Sequence, residues 1–217
     1  MYKRICLALL FATLPFQTVL AHQPNISGTD TNITINEPEI SKVYYGHLNG
    51  RSVIYTIISD RPFSFYIQLL TPSSDNLQTI LSAKIIDDKN QLIYILDGSK
   101  FNWEPFYEPF GGDNYYKGPE YSSQLTGGKY SIEIFSQNNY GPYSIAIGQT
   151  EHFSLQEIIT TLQILPSLKR DFFQEPWWRI LINPFYIGLI IIGLIILIII
   201  YYLIRIKIIH YRAQRIP

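Results

Sequence analysis

Gly127-Gly-Lys-Tyr-Ser-Ile-Glu-Ile-Phe135 and, after a short turn, Tyr143-Ser-Ile-Ala-Ile-Gly148 decide the fold of this 217-residue chain. Tyr130, Ile132 and Ile134 alternate with polar partners. Successive side chains of a strand point to opposite faces, so this segment is half-buried: one face dry, the other wet. Gln137-Asn-Asn-Tyr-Gly-Pro142 supplies the turn to the next strand.

The same pattern continues toward the N-terminus. Lys42-Val-Tyr-Tyr-Gly-His-Leu48 is followed by the tight-turn pair Asn49-Gly50 and by Ser52-Val-Ile-Tyr-Thr-Ile-Ile58. Asp60-Arg-Pro62 precedes the run Phe63-Ser-Phe-Tyr-Ile-Gln-Leu-Leu70, and Asp87-Asp-Lys-Asn90 separates Leu81–Ile86 from Gln91–Leu96. About seven or eight strands at near-regular spacing, with little helical period among them, predict a mainly β antiparallel sandwich over residues 39–150. Residues 22–38, HQPNISGTDTNITINEP, read as a mobile leader or a peripheral strand, and hold the sequons Asn25-Ile-Ser27 and Asn32-Ile-Thr34.

Past residue 150 the period changes. Ser154 and Glu157 make a capping box, with Phe153 and Ile158 placed as a hydrophobic staple. Leu155, Ile158, Ile159, Leu162 and Leu165 share a helical face, and Pro166 marks the expected end. This amphipathic helix is expected either to pack on the sandwich or to lie at a membrane surface, within a juxtamembrane stretch of residues 151–178.

Both termini read as membrane-related. Lys3 and Arg4, the apolar run Ile5–Ala12 and Val19-Leu-Ala21 are the parts of a signal peptide over residues 1–21. Residues 185–204, FYIGLIIIGLIILIIIYYLI, carry no charge and no proline. At about 1.5 Å per residue they cover about 30 Å, the thickness of a hydrocarbon core. Trp177, Trp178 and Tyr186 at one end and Tyr201 and Tyr202 at the other form aromatic belts. We therefore assign a transmembrane segment to 179–204. The tail 205–217 has Arg205, Lys207, Arg212 and Arg215 and no acid, so it is expected in the cytoplasm, with the sandwich outside: a single-pass type I cell-membrane protein.

Charge and cysteine content narrow the function classes. The outer segment 22–178 holds all seventeen acids against ten basic residues, a formal charge near −7 that argues against nucleic acid as a partner. The one cysteine, Cys6, lies in the signal peptide, so the mature chain has neither disulfide nor thiolate chemistry. The cysteine-free mature chain, minimal tail and Ile- and Asn-rich composition suit a bacterium.

The run Gly127–Ile134 followed by Tyr140–Gly148 resembles the close of the bacterial pre-peptidase C-terminal type of domain. In that family two Gly-x-Tyr strands joined by a short turn close a jelly-roll-like sandwich. The resemblance extends to Gly46–Ile57 and Ile85–Ile93, over about residues 40–148. Asn49-Gly-Arg-Ser52 stands where the family commonly has paired aspartates. The resemblance implies a non-catalytic module that binds or stabilises, and it carries over no active-site residues.

One segment fits neither period: Glu104-Pro-Phe-Tyr-Glu-Pro-Phe-Gly-Gly-Asp-Asn-Tyr-Tyr116. Two readings are open. Trp103, Phe106, Tyr107, Tyr115 and Tyr116 can form a stacking surface for sugar rings or a partner's side chains. Alternatively, the prolines and Gly111-Gly112 shape a loop whose aromatics fold back as a secondary core. Glu104, Glu108 and Asp113 are oxygen donors suited to calcium, although they lack a regular ligand spacing; no other cofactor is indicated. No nucleophile elbow, phosphate loop or metal-spaced histidine pair occurs, so no enzyme is expected. The expected function is an extracytoplasmic binding module contacting a protein or glycan at the cell envelope, with lipid around its span. The alternative is an accessory subunit of a membrane complex, recruited through the span and residues 154–178.

Overall fold

The computed structural model describes residues 23–73, 79–109, 111–152 and 154–213, so the signal-peptide region and Cys6 lie outside the described residues. Among those described, eleven strands form two packed sheets. They are β1 (Gln23–Gly28), β2 (Asn32–Ile35), β3 (Lys42–Asn49), β4 (Val53–Ser59), β5 (Phe63–Pro72) and β6 (Leu81–Asp87). Then come β7 (Leu92–Leu96), β8 (Glu104–Glu108), β9 (Asp113–Leu125), β10 (Gly128–Ser136) and β11 (Tyr140–Ile147). One sheet has the order β1-β3-β11-β5-β9-β8, the other β2-β4-β10-β6-β7.

From β3 onward every pairing is antiparallel. Residues 23–35 make both sheets mixed: β1 lies parallel to β3, and β2 parallel to β4. Between β1 and β3 the chain visits the opposite sheet as β2, which provides the crossover a parallel pair requires. Of the two readings of this polar stretch, the structure takes the peripheral strand, once at each sheet's edge.

Alternation puts the apolar residues between the sheets. Tyr55, Ile57, Phe65, Ile67, Ile132 and Ile145 are fully buried there. Tyr130, Ile132 and Ile134 all face inward, as the sequence period requires. A buried tyrosine in a sandwich needs a partner for its hydroxyl. The Tyr55 hydroxyl shares hydrogen bonds with Ser27 Oγ at 3.1 Å and with the Tyr143 hydroxyl at 2.9 Å, linking the two sheets through the core.

Residues 104–116, which show no period in the sequence, form a β-hairpin. β8 pairs with the first part of β9 in the register Glu104↔Lys117, Phe106↔Tyr115, Glu108↔Asp113. Two prolines hid it: Pro105 sits in edge strand β8, where a missing N–H is tolerated, and Pro109 begins the turn.

After the sandwich comes α1 (Leu155–Ser167). Its capping box forms as predicted: Glu157 N–H donates to Ser154 Oγ at 3.2 Å, and Ser154 N–H donates to Glu157 Oε2 at 2.6 Å. Phe153, the predicted staple residue, lies outside the described residues. The helix does not stop at Pro166. It runs on to Ser167 and widens into a looser turn over Leu168–Phe172, closed by Phe173 N–H donating to Leu168 O at 3.1 Å. A tight helical turn, Trp177–Ile182, leads into α2 (Pro184–Ala213). Within α2, the 23 residues Tyr186–Ile208 contain an 18-residue stretch with a mean hydropathy of 3.2 and are long and apolar enough to cross a membrane.

Candidate ligand-binding cleft

The outer face of the six-stranded sheet carries a second apolar cluster, distinct from the sandwich core. Val43, Tyr45, Leu70, Tyr115 and Ala146 provide the sheet side, and Leu168, Phe172 and Phe173 cover them. Tyr45 meets Phe172 edge-to-face at 5.1 Å, and Tyr115 meets Phe173 in the same way at 5.4 Å. The hydroxyls of Tyr45 and Tyr115 share a hydrogen bond at 3.0 Å, so neither is left dry and unpartnered. Residues 168–183 thus form a strap laid across the sheet.

The strap is pinned to the tip of the hairpin by polar contacts. Lys169 is buried, with 2% of its side chain exposed, and pairs directly with Asp113, which is equally buried. Lys169 Nζ also donates to Gly112 O at 3.2 Å and lies 3.7 Å from Glu175 Oε2. Asn183 Nδ2 donates to Pro109 O at 3.0 Å. Gly112 has φ +69°, and its α-carbon approaches Asn183 so closely that a Cβ would sit 2.6 Å from Nδ2. A glycine is required there on both counts. Burial pushes the Asp113 carboxyl up to about 7 against the pull of Lys169; Glu108 and Glu175 nearby push in the same direction. Burial likewise raises the Tyr115 phenol far above its ordinary value.

Between the hairpin, the outer sheet face and α1 lies a cleft of about 420 Å³. Its floor is Val43, Leu70, Tyr115 and Ala146; Phe106, Tyr107 and Glu108 form one wall, and Thr161, Leu165 and Leu168 the other. Gln68, Lys117 and Gln149 add polar groups along it. Gln68 Nε2 and the Tyr66 hydroxyl both donate to Glu120 Oε2, at 2.9 and 2.8 Å, which fixes that edge.

The predicted aromatic surface is divided. Phe106 and Tyr107 are 39% and 48% exposed at the cleft wall. Tyr115 is buried at its base. Trp103 folds back on the sandwich core; its indole N–H donates to Gly98 O at 2.9 Å. Tyr116 is half-buried, with its neighbours Tyr115 and Lys117 turned to the cleft side, and it does not line the cleft. The fold-back reading therefore holds for Trp103 and Tyr115, while Phe106 and Tyr107 stay exposed.

The three carboxylates suggested for calcium do not converge. An ammonium group occupies the position beside Asp113 that a cation would take. Glu108 Oε2 accepts from Gly111 N–H at 2.6 Å. Glu104 stands four residues along β8 from Glu108, about 13 Å away at strand rise. Among the described residues no group of three or more His, Cys, Asp or Glu is placed to hold a metal.

Sequence reasoning missed the residues that build the site from outside the hairpin: Tyr45, Lys169, Phe172, Phe173 and Asn183. Lys169 stands in no motif. The one available signal was the pair Phe172-Phe173, too apolar for a free linker.

No protein-family model and no curated protein matches the chain. Among solved structures, the pre-peptidase C-terminal domain of collagenase from Bacillus anthracis is similar at 13% identity and a TM-score of 0.32, over 59% of this chain and 95% of that one. CorA, a surface-associated copper-binding protein of Methylomicrobium album BG8, is similar at 7% identity and 0.28, over 56% and 98%. A beta-glucosidase from Paenibacillus barengoltzii is similar at 12% identity and 0.25, over 58% of this chain and 13% of that one. The resemblance to the pre-peptidase C-terminal domain is weak and covers about 59% of the chain.

Proposed function

We propose that the protein is a membrane-anchored, non-catalytic binding module that holds its sandwich outside the cytoplasm and takes a protein or glycan segment into the cleft beside the β8–β9 hairpin. The observation that carries this reading is the cleft itself: an apolar floor, two exposed aromatics on one wall and a few polar groups, the makeup of a recognition site. Its two wall carboxylates, Glu108 and Asp113, are engaged by Gly111 and Lys169, which favours binding over acid–base chemistry. The apolar α2 and the cationic tail support the anchor and its direction.

The test is photo-crosslinking from position 107 of the full-length protein in intact cells. A discrete adduct that disappears with Phe106→Ala supports the cleft, since truncating an aromatic at the centre of a contact costs about 2 kcal/mol, roughly thirtyfold in Kd. An adduct pattern indifferent to Phe106→Ala and Leu165→Ala sinks it. The second reading, an accessory subunit recruited through span and strap, draws on the exposed surface of α2. Exchanging residues 186–208 for an unrelated span abolishes function only under that reading.

A further inference from the structure

The flank of α1 that turns away from the sandwich is apolar. Thr161, Leu165 and Leu168 are buried against the head, one beneath another at helical spacing. At 3.6 residues per turn, Ile158, Ile159 and Leu162 occupy a sector turned by roughly 100° from that line. They are 41%, 49% and 47% exposed. Of Ile158, Ile159, Leu162 and Leu165, which the sequence places on one helical face, Leu165 alone is buried. Beside α1 packs the turn Trp177–Ile182, and there Trp177, Trp178, Leu181 and Ile182 are all about half exposed. Large apolar residues gathered on one side of a head, with two tryptophans among them, call for a cover.

The head is joined to α2 without slack. Asn183, directly before α2, is buried and bonded to the hairpin tip through Pro109 O. Tyr186, in the first turn of α2, is itself 7% exposed. The strap between α1 and Asn183 is held by the buried Lys169–Asp113 pair. A freely jointed linker would let the head tumble above a bilayer; this connection does not. The Trp177–Ile182 turn, with α1 packed beside it, is thereby kept next to the start of α2. Tryptophan is the residue that favours the membrane–water interface, where an apolar ring and a polar N–H are both accommodated.

We propose that the exposed side of α1 and the Trp177–Ile182 turn form a lipid-seating surface, embedded in the interfacial layer of the bilayer that α2 crosses. The seat adds an in-plane amphipathic contact to the span. It also fixes the direction in which the cleft beside the β8–β9 hairpin opens. The charged groups around the seat are already answered: Arg179 donates to Glu175 Oε1 at 2.5 Å, and Arg170 donates to Asp171 at 2.7 Å. The occupant is therefore the acyl–headgroup boundary and not a charged protein face. The proposal rests on the reading of α2 as a span.

The experiment uses the full-length protein with Cys6→Ser, reconstituted in phosphatidylcholine–phosphatidylglycerol vesicles. Ile159→Cys, Leu162→Cys, Ile58→Cys and Ile196→Cys each carry an environment-sensitive fluorophore. Quenching by brominated lipid is compared with quenching by aqueous iodide. Positions 159 and 162 are expected to give blue-shifted emission, lost to brominated lipid and spared by iodide. Position 58, exposed on the other sheet, is expected to do the reverse, and position 196 to report lipid throughout. Lipid quenching at 196 with iodide quenching at 159 and 162 overturns the seat and leaves the span standing. Shielding of 159 and 162 from both quenchers assigns the surface to protein, a second copy included, and also overturns it. Absence of lipid quenching at 196 removes the span and the seat together. An unlabelled check uses the native tryptophans: Trp177→Phe with Trp178→Phe leaves Trp103, and lipid quenching of tryptophan emission is expected to vanish.

Discussion

A buried ammonium is stable only where its charge is met and its N–H groups are satisfied. Lys169 has Asp113, Gly112 O and, at the rim, Glu175. Removing the acid by Asp113→Ala is expected to loosen the strap by about 3 kcal/mol, the low end for a broken buried pair, because two of the three partners remain. Hydrogen exchange of the Phe173 and Glu175 amides, bonded to Leu168 O and Lys169 O, reads this directly. Lys169→Met combined with Asp113→Leu is expected to restore most of the protection, since a well-packed apolar pair is often no worse than a buried ion pair. The pH dependence has a definite sign. Asp113 titrates near 7 in the folded protein and near 3.8 otherwise, so its contribution is fully present below the lower value and lost as pH rises through the higher. Docking of the strap is expected to tighten from about pH 8 to about pH 6, after correction for intrinsic exchange, because burying the Asp113 carboxylate costs more than Lys169 returns, while Lys169 keeps Gly112 O and Glu175. Asp113→Asn, which mimics the protonated acid, is expected to flatten that profile. None of this pairing was legible in the sequence: the two residues lie 56 positions apart, and neither sits in a motif.

At the scale of elements, legibility followed period. β10 announces itself because one of its faces meets the core and the other meets water, so apolar and polar residues alternate. β9 does not, for two physical reasons. Its first half is covered by the strap on one side, and the ladder to β5 carries a bulge between Gln68 and Leu70, which breaks the two-residue register. α1 was legible at its start, where capping chemistry is local, and not at its end, where tertiary packing carries the chain past Pro166. Local chemistry also fails to show how closely β9 approaches Trp103. A Cβ on Gly118 would lie 2.5 Å from the Trp103 ring and 3.0 Å from Leu69 O. Gly118→Ala is therefore expected to push the indole out of its seat at a cost of about 1–3 kcal/mol, the range for overpacking. The check is a loss of near-ultraviolet circular dichroism from Trp103 in a Trp177→Phe, Trp178→Phe background, together with a lower unfolding midpoint.

At the scale of the whole molecule, the strap sets where the folding unit ends. The sequence pattern places the sandwich boundary near residue 150, because alternation stops there. The outer sheet face says otherwise. Val43, Tyr45, Leu70, Tyr115 and Ala146 are buried in one cluster with Leu168, Phe172 and Phe173, and Ile164 packs against it. A chain ended after Glu151 would keep every strand and the whole inter-sheet core, yet lose the burial of those three covering side chains. At about 1.5–3 kcal/mol for each, that removes on the order of 5 kcal/mol, a large part of the stability of a domain this size. It also leaves an apolar face on the six-stranded sheet open to water. Such a head is expected to bind a hydrophobic dye and to self-associate in sedimentation. A chain ended after Asn183, which keeps Lys169 on Asp113 and Asn183 on Pro109, is expected to hold the sheet face covered, although its α1 flank stays bare. Equal dye binding and equal unfolding midpoints for the two would mean that the strap is an appendage and that the sandwich is complete without it. A higher midpoint for the longer chain, abolished by Asp113→Ala, would locate the difference in the buried pair that fastens the strap to the hairpin.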